Sequence, residues 1–421
     1  MAELTEARLL FGSRRFKREN PLEAVAPKLP GVEGLDMGAL AAMAATEPDE
    51  ERLDAVAPTE DDVFTICWTS GTEAEPKGCQ LTHRNWRWQS GTIVRLGQLE
   101  AGDRVLATAP LVNMTGVGVV LVPWLLAVGE LVLHHPLDLE LLIGQITGEG
   151  ADFTVLVPAL LTMILKRGDV DELDLSSLRT VVTGSAPPSP YAMSEFRRRW
   201  GIEIIHLWGQ NEGTLLASTT PDVPEPEDRV ERFPWWGRSG VEWPSGVDDA
   251  EARVHDEEGR SLTEPGEVGE LGFRGPAVFS GYYRREDLNE HAFTPDGFFL
   301  TGDLFKVADE RHLSFFDRKK DVIIRGGNNI SAAEVELLAV AHPAVRDAAA
   351  IAVPDEDMGE RVCLCAVPQD PASPPTLDDI VASLREEGLA TYKLPERLEL
   401  VGEIPRNPVG KILKSELRER T

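Results

Sequence analysis

Between residues 153 and 207 the chain alternates short apolar runs with stretches of helical spacing, and this alternation constrains the fold more than any other feature. Phe153–Val157, Thr180–Thr183 and Ile202–Leu207 read as buried strands, with Leu160–Lys166 and Pro190–Trp200 as helices between them. Such a pattern predicts a layered α/β architecture. From about Glu251 the text changes to short strands and turns, including Gly266–Phe273, which predicts a β-rich subdomain. After Asp317 about a hundred residues read as a small α+β unit. It has a helix over Ala332–Ala341, strands over Ala348–Val353 and Val362–Val367, a Pro-rich loop at Pro371–Pro375, and a helix over Leu377–Glu386. A chain of 421 residues has room for two or three such units. The expected division is a large domain over residues 1–317, of layered αβ sheets plus the β-rich subdomain, and a small mobile α+β domain over residues 318–421.

Charge and cysteine usage exclude several classes. There are 42 basic and 71 acidic residues, a net charge of −29. Such a chain repels phosphate backbones, so nucleic acid is not an expected partner, and any bound anion needs a small local site. The four cysteines form no disulfide framework. Cys67 and Cys79 are too far apart for paired-ligand spacing, and only one residue separates Cys363 from Cys365. A reducing, cytoplasmic setting fits this usage. The run from Val105 to Gly129 is uncharged and long enough to span a bilayer. It is broken by Pro110, Asn113, Gly116, Gly118 and Pro123 and lacks basic flanks. A buried strand at Val105–Ala109, a loop and a buried helix account for it better than a transmembrane segment.

Phosphate chemistry is suggested first by one loop. The β-rich run Val63–Trp68 leads into Thr69-Ser70-Gly71-Thr72-Glu73-Ala74-Glu75-Pro76-Lys77-Gly78. Glycine lets backbone N–H groups approach an anion, the hydroxyls donate hydrogen bonds, and Lys77 brings a full charge. The Gly-Lys-Ser/Thr ending of a Walker loop is absent. Taken alone, a loop of this composition is more often an ordinary turn.

Further segments follow in a fixed order: Trp208-Gly209-Gln210-Asn211-Glu212, Gly269-Glu270-Leu271, Arg274-Gly275-Pro276, Gly281-Tyr282, Thr301-Gly302-Asp303, Asp317-Arg318-Lys319-Lys320-Asp321, Arg325-Gly326-Gly327, Tyr392-Lys393-Leu394-Pro395, and Pro405 to Leu413 with Gly410-Lys411. Together with the loop, these resemble the ordered motifs of the adenylate-forming superfamily of acyl- and aryl-CoA synthetases, adenylation domains and luciferases. The resemblance spans residues 63 to 417 and is closest to a freestanding acyl-CoA synthetase.

The resemblance implies a two-step reaction in which a carboxylate attacks the α-phosphate of ATP and a thiol, usually coenzyme A, then displaces AMP. It implies that Thr69, Ser70, Gly71, Thr72 and Lys77 hold the β- and γ-phosphates. Glu212 would be the Mg²⁺ ligand, a hard oxygen for a hard cation. Trp208, with Gly209 and Asn211 beside it, would stack on adenine, and the turn Gly184-Ser185-Ala186 would line the opposite face. Asp303 would accept the ribose hydroxyls and Arg318 would assist at the ribose or α-phosphate. Lys411, Thr72 and Glu212 are the implied catalytic residues. Without the resemblance, Lys411 would read as a surface lysine of a basic tail with Lys414, Arg418 and Arg420. Lys320 would be the hinge of the small domain, and Gly326 and Gly327 would frame the thiol tunnel.

The acyl pocket is expected from Asn113, Val117, Gly118 and Gly209. No carboxylate stands there to pair with a substrate ammonium, so a neutral fatty, alicyclic or aromatic acid is expected. The alternatives are an enzyme that loads a carrier protein and a non-catalytic nucleotide-binding relative. Three departures from the family pattern stand out. Asn211 replaces a usual Thr or Ser, Glu73 and Glu75 add negative charge to the phosphate loop, and only 68 residues precede Thr69. A start inside the fold would leave an apolar sheet edge near residues 20–70, open to a homo-oligomer contact.

Overall fold

The computed structural model describes residues 5–12, 20–36, 50–69, 76–406 and 412–420. The chain divides into two compact units, Met1–Thr59 and Glu60–Thr421. In the first, the strand Leu9–Gly12 pairs in parallel with Glu33–Asp36, and the helix Pro21–Val25 falls between them in sequence. Asn20 caps that helix by accepting the Glu23 N–H at 3.2 Å.

The second unit is built on a six-stranded sheet. Its order is Leu215–Ser218, Glu203–Gly209, Thr180–Gly184, Phe153–Val155, Arg104–Ala107, Glu130–Leu133. All neighbours run parallel except the edge strand Leu215–Ser218. Side chains alternate between two cores, as the two-residue period of a strand requires. Val181 and Ile204 meet Leu142, Leu161 and Phe196 from the helices Leu139–Glu149, Pro158–Leu165 and Pro190–Trp200. Val182 and Ile205 enter a core with Trp236, Phe273 and Phe305. That second core joins the parallel sheet to an antiparallel one, ordered Phe233–Pro234, His312–Arg318, Phe299–Val307, Val268–Arg274, Glu251–His255, Ser261–Leu262.

The strand expected at Val105–Ala109 ends at Ala107, and the uncharged run then forms a loop, the π-helical segment Gly116–Leu121 and the helix Val122–Ala127. No helix among the described residues is long and apolar enough to cross a membrane. The Thr69–Lys77 loop joins two strands of a hairpin, Val63–Trp68 and Gly78–Thr82, and the helix His83–Leu96 follows. Thr82 and Asn85 cap that helix reciprocally, at 3.2 and 2.8 Å. Among the described residues the strand Val63–Trp68 pairs with Gly78–Thr82 alone, and Val63 and Phe64 are 46% and 53% exposed.

Residues beyond Asp317 make a sheet of their own, ordered Asn328–Ile330, Ile323–Arg325, Gly359–Pro368, Val345–Asp355, with Arg397–Leu400 added in parallel to Gly359–Pro368. One face packs on the helices Ala332–Val340 and Leu377–Glu386 through Val335, Ala350, Leu364 and Leu384. The other carries Ile351, Cys363 and Cys365 against Leu417 of the helix Lys414–Arg420.

Two glycines show how tightly the second unit is assembled. Gly213 has φ +84° and a Cβ there would lie 1.9 Å from the Ala277 carbonyl oxygen, whereas Gly240 has φ +78° and open space around it. Gly240→Ala should therefore lose only the left-handed backbone cost, about 1 kcal/mol. Gly213→Ala should lose about 3 kcal/mol, because steric overlap adds to that cost. Urea unfolding of the two variants side by side checks the difference, and equal losses would refute the packing argument.

Candidate active site

Three of the loops that leave the parallel sheet at its C-terminal edge carry expected site residues: 108–115 after Arg104–Ala107, 185–189 after Thr180–Gly184, and 210–214 after Glu203–Gly209. The strand order places Arg104–Ala107 between Glu130–Leu133 and Phe153–Val155, so the chain leaves it first to one side and then to the other. Crevices at such switch points are where open α/β sheets bind ligands. The loop with Asn113 starts there.

Glu212 follows the strand Glu203–Gly209 and is buried at 7% exposure. Its Oε1 accepts the Tyr282 hydroxyl at 2.8 Å, and that hydroxyl accepts from Lys77 Nζ at 3.1 Å. Burial, reinforced by the Glu212 charge, pushes the Tyr282 phenol up and keeps it a neutral donor. Lys77 thus reaches Glu212 through one intervening hydroxyl. At the base of the phosphate loop the Thr69 N–H donates to the Lys77 carbonyl at 2.9 Å, and the Lys77 N–H donates to the Thr69 hydroxyl at 3.1 Å. Ser70, Gly71, Thr72, Glu73 and Glu75 lie outside the described residues, as does Lys411. Asn211 donates its amide to the Trp68 carbonyl at 3.1 Å, tying the Glu212 loop to the end of the first hairpin strand.

Asp303 lies on the strand Phe299–Val307, opposite Arg318 in register, and is 5% exposed. Its Oδ2 accepts from Trp208 Nε1 at 2.9 Å and from Gln210 Nε2 at 3.1 Å, while Oδ1 faces Arg318 Nε at 3.8 Å. The Trp208 indole therefore meets Asp303 through its N–H, and its ring packs edge-on against Phe305 at 5.1 Å. Both hydroxyls of a bound ribose would have to share Oδ1 or displace Gln210, a residue to which sequence reasoning gave no role. The adjoining turn is equally constrained. Gly302 donates its N–H to Glu270 Oε1 at 2.9 Å and Lys319 Nζ reaches Glu270 Oε2 at 2.8 Å.

Gly184 and Ser185 form the turn expected beside adenine. A Cβ on Gly184 would lie 2.4 Å from the Leu207 carbonyl oxygen, and Ser185 adopts φ +69°. Ala186 continues this turn and is exposed. Of the expected acyl-pocket residues, Asn113 accepts the Gly116 N–H at 2.7 Å and so starts the π-helical segment. Val117 packs on the cluster of Cys79, Trp86 and Tyr282. Gly118 is a close approach to another helix, since its Cβ would meet Gln89 at 2.9 Å and Trp86 at 3.0 Å. Gly209 is exposed, and its Cβ would meet the Thr214 carbonyl oxygen at 2.8 Å.

In the C-terminal part, Gly326 and Gly327 have φ +55° and +80°. A Cβ at Gly326 would meet the Met358 methyl at 2.5 Å, whereas Gly327 has nothing within 4 Å, so backbone conformation alone requires glycine there. Of the basic tail, Lys414 and Arg418 are paired with carboxylates of the same unit, whereas Arg420 is exposed. Lys414 is 8% exposed and its Nζ pairs with Glu336 Oε1 at 2.8 Å, while Arg418 pairs with Asp321 at 3.1 Å and reaches the Lys320 carbonyl at 3.5 Å. Helical spacing in the sequence does not reveal which face such a terminal helix buries. No group of three or more His, Cys, Asp or Glu side chains that could hold a metal occurs among the described residues. A cation here would rest on Glu212 and on ligands outside the protein, the manner in which Mg²⁺ is usually held.

The electrostatics of Asp303 have a measurable consequence. Burial raises its pKa, opposed by Arg318 and by the Trp208 and Gln210 hydrogen bonds. Because the folded value lies above the unfolded one, the native state loses stability as pH rises from the ordinary aspartate range through the raised value. Asp303→Asn should be more stable than the wild type at pH 7 by about 1 kcal/mol, and the gap should narrow toward pH 4. Urea unfolding at the two pH values tests this; a variant less stable at pH 7 would contradict it.

Comparison with known proteins places this geometry in a family. The sequence profile described as AMP-binding enzyme matches residues 1–283, and that of the AMP-binding enzyme C-terminal domain matches residues 334–411. The chain is 34% identical over 371 residues to pyochelin synthase PchD of Pseudomonas aeruginosa, a match covering 88% of this chain and 65% of that protein. It is 34% identical over 356 residues to an indoleacetate–CoA ligase of Aromatoleum aromaticum, covering 84% and 66% of the two. The chain thus spans slightly less than two thirds of the length of these relatives. The ATP-bound structure of MatB from Rhodopseudomonas palustris superposes with a TM-score of 0.82 at 27% identity, over 100% of this chain and 80% of that one. With its layered sheets, its small C-terminal α+β part and these matches, the chain belongs to the AMP-binding enzyme family.

Proposed function

We propose that this chain is an AMP-forming acid–thiol ligase that activates a neutral carboxylic acid with ATP and passes the acyl group to coenzyme A. The observation that carries the reading is the convergence of two buried carboxylates at one sheet edge. Asp303 is held by N–H donors, and Glu212 stands one hydroxyl away from the phosphate-loop lysine. An aromatic acid is favoured within the neutral class, because a relative named as an indoleacetate–CoA ligase shares 34% identity. Four free cysteines, three of them buried, agree with a cytoplasmic setting.

The first step brings a carboxylate to a polyanion, so its barrier is charge repulsion and misalignment. Lys77 and the hydroxyls of Thr69, Ser70 and Thr72 bind the β- and γ-phosphates. Asp303 and Arg318 orient the ribose, while Trp208, Gly209 and the Gly184–Ala186 turn enclose the base. Glu212 would hold Mg²⁺, which when bound would supply charge neutralisation at the phosphates. The substrate carboxylate oxygen bonds to the α-phosphorus as the bond to pyrophosphate breaks, and Lys411 neutralises the charge that gathers there. The thiol of coenzyme A then loses its proton to solvent, its sulfur attacks the acyl carbon, and the bond from that carbon to the phosphate oxygen breaks to release AMP. We assign the second step to a different pose of residues 318–421, turned about Lys320, in which Gly326 and Gly327 admit the pantetheine arm. This assignment is supported by the separate sheet and cores beyond Asp317.

Incubation with ATP, Mg²⁺, coenzyme A and a panel of aromatic and fatty acids should release AMP and pyrophosphate; ADP and orthophosphate would refute adenylation. Lys411→Ala should slow acyl-adenylate formation about a hundredfold or more, the cost of one lost transition-state charge contact. It should still convert a pre-made acyl-adenylate to thioester. Equal slowing of both half-reactions would overturn the two-pose assignment.

A further inference from the structure

Tyr282 has no part in the mechanism above, yet its hydroxyl is the one group between Lys77 and Glu212. The ring is held from several sides. Gln80 N–H donates to the Gly281 carbonyl at 3.3 Å and Tyr283 N–H to the Gly78 carbonyl at 2.8 Å, so this segment pairs with the strand that follows the phosphate loop. The Asn289 side chain accepts the Tyr282 N–H at 2.8 Å and donates to its carbonyl at 3.0 Å. Phe279 packs edge-on at 4.8 Å, and Tyr282 is 5% exposed. A phenol fixed this firmly sets the position of whatever it bonds.

We propose that Tyr282 is a positioning residue of the nucleotide site, holding the Glu212 carboxylate for the cation and parking Lys77 until a polyphosphate arrives. The inference rests on the adenylation reading. Its physical basis is the direction of the two hydrogen bonds. The single phenolic proton goes to Glu212 Oε1, which fixes the carboxylate and leaves its Oε2 outside that bond, available to a cation. The phenolic oxygen accepts from the Lys77 ammonium, which also lies 4.4 Å from the ring centroid. Were Lys77 bonded directly to Glu212, it would occupy a carboxylate oxygen and be held by a charge-assisted bond. Such bonds are about twice as strong as neutral ones. Held by a neutral oxygen, Lys77 exchanges readily to a phosphate, and Glu212 keeps its charge for the cation.

Tyr282→Phe removes only the hydroxyl. Binding of α,β-methylene-ATP, a non-hydrolysable analogue, is measured by titration calorimetry with Mg²⁺ and again with EDTA; the ratio of the two affinities reports the cation's contribution. In Tyr282→Phe this ratio should fall about tenfold, toward that of Glu212→Gln, the loss expected for one hydrogen bond to a charged group. In Lys77→Ala both affinities should fall while the ratio stays within about twofold, because the phenol still holds Glu212. A wild-type ratio in Tyr282→Phe would overturn the proposal. If Tyr282→Phe does not fold, as judged by its urea transition, Lys77→Ala decides, and a collapsed ratio there would overturn it. A wild-type protein that does not bind the analogue at all would instead refute the adenylation reading on which the proposal stands.

Discussion

Burial of the parallel sheet on both faces is the constraint from which the rest of the second unit follows. With Val181 and Ile204 in one core and Val182 and Ile205 in the other, neither face is left for polar work. Parallel strands also send every chain connection out at their ends. Polar chemistry is thereby confined to the loops at the C-terminal edge, where Asn113, Ser185 and Glu212 emerge from three different strands. The antiparallel sheet, locked to the same core by Phe273 and Phe305, brings Asp303 to that edge from the other layer. The candidate site is thus a seam between two sheets whose relative position is set by apolar packing.

The protein carries a net charge of −29, yet its interior holds carboxylates that burial pushes toward the neutral form: Asp303, Asp317 and Glu336. Each has specific compensation. Asp303 has Arg318 and two N–H donors. Asp317 accepts from Ser331, Ala333 and Arg318, which joins the end of one strand to the start of the helix Ala332–Val340. Glu336 pairs with Lys414 and accepts the Ala350 N–H at 2.8 Å. Removing one partner of the Glu336–Lys414 pair, buried on both sides, costs about 3–5 kcal/mol, because the other is left uncompensated. The helix Lys414–Arg420, which follows Lys411 in sequence, is therefore fastened to Glu336 and Asp321 by charge as well as to the sheet by Leu417.

Much of this was legible without coordinates. The helices Pro190–Trp200 and Leu377–Glu386 and the strand Val63–Trp68 were readable with their bounds, because Pro, Gly or hydroxyl residues stand at their ends and a local pattern runs between them. The second strand of the phosphate-loop hairpin was not seen. Gly78–Thr82 is only five residues long and contains glycine and glutamine, so it has little strand character of its own; pairing with Val63–Trp68 makes it a strand. The site residues were found as motif members, not from contacts. That approach named Glu212, Asp303 and Lys77 but gave no role to Gln210, Tyr282 or Lys414.

The sequence by itself determined the layered α/β class, the order of the elements, the small C-terminal α+β part and the identity of the polar residues that cluster at the sheet edge. Those properties are carried by local periodicity and by residue types, which a linear text preserves. Tertiary structure alone decided that Trp208 and Gln210 converge on Asp303, that one phenol joins residues 77 and 212, and that Lys414 is buried against Glu336. The partners in those contacts are between 70 and 205 positions apart along the chain. No local propensity encodes such a pairing; it exists only once two independently packed layers are brought into contact.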